Sequence, residues 1–253
     1  MTQPLSRLVS LVVAFVMAAA GAVVFAQDFF RQRSTTLYGN VEYDGRLTFV
    51  RLRYSGGFRR DPGWAHDYPT ADIHMMKILS ELSITPARTD GSNVLALDDP
   101  ELFHHPIAYM SEPGFWVPSE EDTTNLRNYL LKGGFIIFDD FRTREGHWHN
   151  LEEQMRRVLP QHRFLQIDAK SPIFNSFFEI ASLQYLTSYG GAMPTYWAIF
   201  EDNDPTKRVM AIANVDGDLG EYWEYSSTGL FPVDLSNEAY KFGMNYFIYG
   251  LTH

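Results

Sequence analysis

The 253-residue sequence contains no cysteine, and this absence excludes several kinds of chemistry. Disulfide bonds, thiolate nucleophiles and a lipid-modified cysteine are all impossible. The fold must therefore be stabilised by its core alone, which is unproblematic for a chain of this size. The material for a core is present, because 45% of the residues are hydrophobic and 15% are aromatic.

Positive charge is also scarce, and the formal net charge is −10 at pH 7. The basic residues are scattered, apart from short pairs such as Arg59-Arg60 and Arg156-Arg157. Binding to nucleic acid depends largely on the neutralisation of phosphates by lysine and arginine. We therefore exclude nucleic acid as a partner.

Long hydrophobic runs are absent except at the N-terminus, where Arg7 precedes an uncharged run over residues 8–26. Val24-Phe25-Ala26 provides a small-residue cleavage signal at the end of this run. We expect a signal peptide over residues 1–26, or alternatively a retained anchor, because the run approaches the ~20 residues that span a bilayer. Cleavage would change the net charge from −10 to −11, since Arg7 is the only charged residue removed.

These features predict an exported protein, in the periplasm or another extracytoplasmic compartment, with no membrane contact beyond its N-terminal segment. Residues 27–45 are polar and aromatic without a clear period, and we expect them to form a lead-in arm. Residues 46–253 have no repeat and no shift in composition, which predicts one α/β domain.

Recognisable catalytic and cofactor motifs are missing as well. The sequence has no G-x-S-x-G motif for a serine nucleophile and no phosphate-binding glycine fingerprint. His147 and His149 form an H-x-H pair, but Trp148 and the polar surroundings favour a loop, and no third metal ligand is evident. We therefore predict no metal, no cofactor and no identifiable catalytic residue.

Two further segments have both a plain and a functional interpretation. His66-Asp67 could orient an imidazole for catalysis, although the surrounding aromatic residues and proline favour a packed loop. Residues 214–221 carry oxygen-bearing side chains at alternating positions, as a calcium loop does, but lack its complete twelve-residue spacing. We prefer an acidic turn after a strand, which could bring Asp216 or Asp218 to the edge of the sheet.

The clearest local pattern is a helix, a glycine stop and a strand that ends on two carboxylates. Ser119 begins the helix as a cap, and Gly133-Gly134 ends it. Residues 135–138 are a short apolar run, typical of a central strand that is covered on both faces. Asp139-Asp140 follows at the edge where open α/β sheets bind ligands.

Strands and helices alternate along the first half of the domain, which predicts βαβ units and a parallel sheet. The predicted fold class is α/β, with a doubly wound, mostly parallel sheet and irregular additions. We expect a pair of strands joined by a turn at residues 202–205. The predicted strands cover residues 47–54, 107–110, 135–138, 164–167, 196–200 and 209–213, and the predicted helices cover residues 71–82, 120–132, 151–158 and 238–251.

Three strand ends are expected to meet at one edge of this sheet: Arg53-Tyr54, Ser111-Glu112 and Asp139-Asp140. One interpretation is a polar cleft in which a carboxylate acts as a base and an arginine orients an anionic or hydroxyl-rich ligand. The other is a structural network in which Arg53 or Arg142 pairs with Asp139, as a buried carboxylate requires. The candidate ligand-binding residues are Arg53, Tyr54, Glu112, Asp139, Asp140, Arg142, Asp216 and Asp218.

Eight short blocks occur in order between residues 46 and 252. They are Arg53-Tyr54-x-Gly56-Gly57, Tyr68-Pro69-Thr70-Ala71, Asp99-Pro100-Glu101-Leu102-Phe103, Leu126-Arg127-x-Tyr129-Leu130-x-x-Gly133-Gly134-Phe135, Asp139-Asp140, Arg156-x-Val158-Leu159-Pro160, Pro172-Ile173-Phe174 and Gly243-Met244-Asn245. With these blocks the chain resembles a bacterial family catalogued as domain of unknown function 4159. In fold, that family is similar to flavodoxin-like proteins of the class I glutamine amidotransferase group.

The resemblance implies that Asp139 stands where amidotransferases carry their cysteine nucleophile, so thiolate chemistry cannot occur here. Relatives often have a small loop with glycine and histidine after the third strand, whereas this chain has Ser111-Glu112-Pro113-Gly114. Family members are often encoded near chaperone-like ATPases and von Willebrand-type adhesion domains. This context implies a partner role in an envelope complex.

The leading functional hypothesis is an exported, non-enzymatic or catalytically degenerate amidotransferase-like domain at the cell envelope. It would act as a binding or assembly component, with an envelope protein complex or a small polar ligand as its partner. The alternative is a carboxylate-dependent hydrolase or carbohydrate-active enzyme that uses Glu112, Asp139 and Asp140, with or without a divalent cation. A third possibility is a purely structural subunit, in which these carboxylates only stabilise the fold.

Overall fold

The structure, a computed structural model, describes residues 39–55, 63–184, 186 and 191–253. The expected signal peptide or anchor, most of the expected arm and the Gly56-Gly57 turn lie outside the described residues. Val41–His253 forms one compact unit. Within the described ranges, no helix is both long enough and apolar enough to cross a bilayer.

A seven-stranded sheet forms the centre of the described unit, in the order β2-β1-β3-β4-β7-β6-β5. β6 runs antiparallel to both of its neighbours, and the other described strands are parallel to one another. The predicted α/β class with a mostly parallel sheet is therefore confirmed. The strands are β1 (Val50–Leu52), β2 (Asn93–Leu95), β3 (Ile107–Ser111), β4 (Phe135–Phe141), β5 (Leu165–Ile167), β6 (Thr195–Phe200) and β7 (Val209–Val215).

Helices cover both faces of this sheet. On one face, Met75, Trp223 and Phe242 come from three different helices and belong to one core cluster. On the other face, the indole of Trp148 packs against that of Trp197 in β6, with ring centroids 5.1 Å apart. The helices among the described residues are α1 (Thr70–Leu82), α2 (Glu120–Leu131), α3 (His147–Val158), α4 (Leu219–Glu224) and α5 (Val233–Thr252).

The unit formed by α2 and β4 follows its sequence pattern closely. Ser119 and Asp122 form a reciprocal capping box, in which each side chain accepts a backbone hydrogen bond at 3.0 Å. Gly133 has φ +108°, a conformation that glycine adopts at little cost when it ends a helix. A Cβ atom at Gly134 would lie 2.5 Å from the ring of Tyr129, so a larger residue would displace that buried ring.

The H-x-H segment was expected to be a loop, and this expectation is wrong. α3 begins at His147, directly after Gly146 with φ +77°. Successive residues of a helix are rotated by about 100°, so His147 is buried while His149 is exposed. The two imidazoles therefore do not face a common ion.

The order of the strands reverses direction next to β1. β2 lies on one side of β1 and β3 lies on the other, so the chain reverses its progress across the sheet at this point. Open α/β sheets bind ligands beyond the carboxyl ends of the strands at such a reversal. β4 lies next to β3, with Ser111 opposite Asp139.

Candidate functional site

Asp139 is a fully buried carboxylate near the carboxyl end of β4. It accepts hydrogen bonds from the phenol of Tyr109 (2.8 Å) and the amide of Asn214 (2.9 Å). The backbone N–H groups of Leu219 (2.8 Å) and Gly220 (3.1 Å) also donate to it. These two N–H groups begin α4, so Asp139 satisfies donors that the helix itself leaves unpaired. Four donors, from β3, β7 and the start of α4, therefore converge on this buried carboxylate.

The hydrogen-bond network around Asp139 continues into the last helix. The phenol of Tyr246 in α5 donates to the side-chain oxygen of Asn214 at 2.8 Å. Burial raises the pKa of Asp139, and the hydrogen bonds from Asn214 and Tyr109 only partly oppose this. The network therefore joins β3, β4, β7, α4 and α5 through polar groups that water does not reach.

Asp140 is also buried, but its environment differs from that of its neighbour. It has φ +56°, and the pairing of β4 with β7 shifts register between Phe138 and Phe141. Such an irregularity re-aims a side chain, and a positive φ in a residue other than glycine is uncommon. The strand thereby gives two adjacent carboxylates two separate environments.

Two cationic groups approach Asp140. Its Oδ2 atom lies 3.3 Å from Nδ1 of His66, and its Oδ1 atom lies 3.2 Å from Nη1 of Arg142. Burial alone would raise the pKa of Asp140, but the His66 hydrogen bond and the Arg142 charge lower it. The hydrogen bond with Asp140 in turn raises the pKa of His66 to about 9.

Three more carboxylates complete the Asp140 cluster, which we define as His66, Asp67, Glu112, Asp140, Arg142 and Asp218. Oε1 of Glu112 lies 3.7 Å from Nδ1 of His66. His66, Glu112 and Asp140 each offer one ligand atom, and these atoms lie within 4.8 Å of one another. Asp67, Asp140 and Asp218 form a second such group, so Asp140 belongs to both.

Asp67 carries an oxygen without a hydrogen-bond partner in the described structure. This atom, Oδ2, is inaccessible to solvent. Burial raises the pKa of Asp67 to about 8, and the negative charge of Asp140 acts in the same direction against the opposing effect of Arg51. Burial and the charge of Asp140 thus both favour the uncharged form of Asp67.

Asp218 connects the Asp140 cluster to α4. Its Oδ1 atom accepts a hydrogen bond from the backbone N–H of Glu221 at 3.1 Å, so it is the N-cap of that helix. Its Oδ2 atom lies 3.6 Å from Nη2 of Arg142. Burial raises the pKa of Asp218 well above its ordinary value, and the charge of Asp140 adds to this. The expected acidic turn at residues 214–221 is therefore a strand end, a short turn and the start of a helix.

The remaining candidate residues lie nearby with different roles. The phenol of Tyr54 donates to the backbone oxygens of Ser111 (3.0 Å) and Glu112 (2.6 Å), and so fixes the end of β3. Asp216 accepts hydrogen bonds from the backbone and the hydroxyl of Thr143, which closes the loop after β4. Nε of Arg53 is buried without a hydrogen-bond partner in the described structure, and the cation at Asp140 is Arg142.

A buried ion pair between Arg51 and Asp72 supports the site, and sequence reasoning missed it. Both side chains are inaccessible to solvent. Nε of Arg51 lies 3.1 Å from Oδ1 of Asp72, and Nη1 donates to the backbone oxygens of Trp64 (3.1 Å) and His66 (2.8 Å). Arg51 thus holds the turn that carries His66 and Asp67. The available signal was an arginine within the apolar run of β1.

Taken together, the fold and the site define a mixed α/β protein with a structural carboxylate network and an acidic, histidine-containing cluster beside it. A family model described as "Domain of unknown function (DUF4159)" matches residues 48–251. The chain therefore belongs to this family, and the resemblance seen in the sequence blocks is confirmed at that level. None of the curated proteins matches the chain significantly.

Proposed function

We propose that this protein is an exported binding or assembly component of the cell envelope, with its ligand site at the Asp140 cluster. The observation that carries the proposal is the full burial of Asp139 among four hydrogen-bond donors. A side chain that is fully buried, accepts hydrogen bonds from the first turn of a helix and binds two core groups is not exposed to a substrate. We therefore propose that the position corresponding to an amidotransferase nucleophile serves the fold here.

The relation to amidotransferases is part of this proposal. The order β2-β1-β3-β4-β7 has the arrangement of a flavodoxin-like sheet, with β7 in the place of the fifth strand. Asp139 lies in the middle of this arrangement, at the end of a strand that follows a helix and two glycines. These features support an amidotransferase-like ancestry without its chemistry.

The Asp140 cluster supports binding because its polar groups are not all satisfied internally. Oδ2 of Asp67 lacks a donor in the described structure. The side chain of His66 is 38% exposed, so the cluster is accessible from solvent. Asp67, Glu112 and Asp140 all have positive φ values, and strained residues of this kind concentrate at ligand sites.

Export and a place at the envelope are supported by the sequence alone, through the uncharged run at residues 8–26. The partner is an envelope protein complex or a small polar ligand. Direct evidence would come from fractionation of cells, in which a periplasmic or membrane-bound pool is expected. Recovery of the whole pool in the cytosol would contradict this part of the proposal.

A second candidate function is a carboxylate-dependent enzyme, and one specific observation favours it. The pKa of Asp67 is raised to about 8 while that of Asp140 is lowered, although the two carboxylates are close neighbours. Pairs of acids whose pKa values are pushed apart are typical of acid–base catalysis. In this hypothesis Asp67 is the acid and Asp140 the base, with Glu112 beside them, and Asp139 has no direct part.

Two isosteric variants separate these functions. The full chain and its Asp140→Asn variant are compared in ligand-binding screens that include sugars and polar metabolites, and in turnover assays with ester, amide, glycoside and phosphate substrates. Binding that is lost in Asp140→Asn, with no turnover by either protein, supports the binding function. Turnover that is lost in Asp140→Asn or Asp67→Asn supports the enzyme instead.

A further inference from the structure

We propose that the Asp140 cluster binds a divalent transition-metal ion, Zn²⁺ or Mn²⁺, through His66, Glu112 and Asp140. This inference rests on the proposed function, since it names the ligand of the same site. It also replaces the expectation from the sequence that the chain binds no metal.

The separations of the donor atoms fit a metal ion. Ligands at about 2.0–2.1 Å from a tetrahedral ion lie roughly 3.3–3.4 Å from one another. Nδ1 of His66 lies 3.3 Å from an oxygen of Asp140 and 3.7 Å from an oxygen of Glu112. An ion placed among these three atoms would replace the proton that His66 shares with Asp140. It would also draw together the oxygens of Glu112 and Asp140, which lie within 4.8 Å of each other.

The types of donor narrow the choice of metal. One imidazole nitrogen and two carboxylate oxygens suit Zn²⁺ and Mn²⁺. Ca²⁺ and Mg²⁺ prefer six or more oxygen ligands, and a histidine in the ligand set disfavours them. Three protein ligands leave a fourth position open, which is the arrangement of metal sites that bind a further molecule.

The unpartnered oxygen of Asp67 is a second observation at this site. Its Oδ2 atom is sealed from solvent and receives no hydrogen bond in the described structure. The carboxylate lies within 4.8 Å of Asp140, one of the proposed ligands. Arg51 is already a positive charge near Asp67, and an ion bound at Asp140 would place a second one beside this acid.

The backbone of the proposed ligands is held in place from outside the cluster. Arg51 binds the backbone oxygen of His66, and Tyr54 binds that of Glu112. Asp140 lies within a central strand between β3 and β7. Ligands that are fixed in this way lose little freedom when the ion binds.

The test is titration of the untagged full chain, after treatment with a chelator, with Zn²⁺ and Mn²⁺ alone. We expect one ion per chain. His66→Gln and Glu112→Gln are each expected to weaken binding at least about tenfold, because even supporting residues of metal sites contribute that much. His149→Gln is the matched control, since it removes an exposed histidine from α3 and is expected to leave the affinity unchanged.

Co²⁺ provides a second, spectroscopic measurement. Its visible absorption in the wild-type chain reports the ligand geometry, and we expect His66→Gln to change this spectrum while His149→Gln preserves it. Absence of binding by the wild type, or binding that is unaltered in His66→Gln, would overturn the inference. If the wild type binds no metal but binds a polar ligand in a manner that requires Asp140, only the metal inference is wrong. If it binds neither a metal nor a polar ligand, the proposed binding function is wrong as well.

Discussion

The phenol of Tyr109 donates a hydrogen bond to the carboxylate of Asp139 over 2.8 Å, and this bond joins two neighbouring strands inside the core. The next residue along the chain, Asp140, contacts His66 and Arg142 instead. Two adjacent acids therefore belong to two separate networks. One network lies wholly within the core, and the other includes the partly exposed side chain of His66.

Replacement of Asp139 by alanine is expected to destabilise the protein strongly. The change leaves the phenol of Tyr109, the amide of Asn214 and two backbone N–H groups without an acceptor. Each unsatisfied buried donor costs about 1–3 kcal/mol, so we expect a total loss of at least about 3 kcal/mol. Urea unfolding checks this, with Glu153→Ala on the exposed surface of α3 as control. A loss below about 1 kcal/mol would show that the network is not structural.

Arg51→Met is expected to unfold the turn that carries His66 or to destabilise the whole domain. Removal of one partner from a buried ion pair typically costs about 3–5 kcal/mol. The double variant Arg51→Met/Asp72→Leu removes the unpaired charge but still leaves the backbone oxygens of Trp64 and His66 without their donor. Denaturation curves should therefore show only partial recovery in the double variant. Full recovery would mean that Arg51 does not position the turn.

The stability of the protein is expected to fall as the pH rises from about 4 to about 9. The pKa of Asp67 rises from 3.8 to about 8 on folding, and that of His66 from 6.5 to about 9. Groups with raised pKa values favour folding below their unfolded pKa and lose that contribution as the pH passes the folded value. The pKa of Asp140 is lowered, so its contribution to stability increases with pH, but only in the acid range in which this carboxyl group titrates.

Asp67→Asn tests the origin of this pH dependence. The amide has the shape of the protonated acid but does not ionise, so the variant should lose less stability than the wild type between pH 5 and 8. Melting temperatures measured across this range provide the comparison, with Glu153→Gln as control. Equal slopes for wild type and Asp67→Asn would contradict the raised pKa.

Tyr54→Phe is expected to lower the metal affinity more than the stability, because Tyr54 positions the backbone of Glu112. The variant loses the hydrogen bonds to the backbone oxygens of Ser111 and Glu112, at a cost of roughly 1 kcal/mol in unfolding free energy. Metal affinity is expected to fall by about 10-fold or more, because a support of a proposed ligand is lost. Isothermal titration with Zn²⁺ measures this, and an unchanged affinity would mean that Tyr54 does not position Glu112 for the ion.

Local sequence patterns sufficed to predict the elements around the site. The capping box at Ser119, the stop at Gly133 and the apolar run into Asp139 all involve residues close in sequence, and each acts through local geometry. The parallel sheet also followed from the alternation of elements. In contrast, β2 has only three residues and comes directly after a polar turn, so no period was long enough to reveal it.

The composition of the site could be predicted only in part, for a physical reason. Asp140, Glu112 and Arg142 follow strands, and parallel strands end at a common edge. His66 and Asp67 lie in a segment whose backbone binds Arg51. The arginine within β1 indicates that it has a buried partner, but its position in the sequence does not identify that segment. The side chains of Asp139 and Asp140 enter different environments because the pairing of β4 shifts register between Phe138 and Phe141, and the apolar pattern of the strand does not predict this shift.

The strands at the two borders of the sheet, β2 and β5, are each three residues long. A border this short exposes few free backbone N–H and C=O groups, which protects a sheet from pairing with another chain. Any complex built on the described part of this protein is therefore expected to use its helices and loops. A strand from another protein would find few free backbone groups with which to pair.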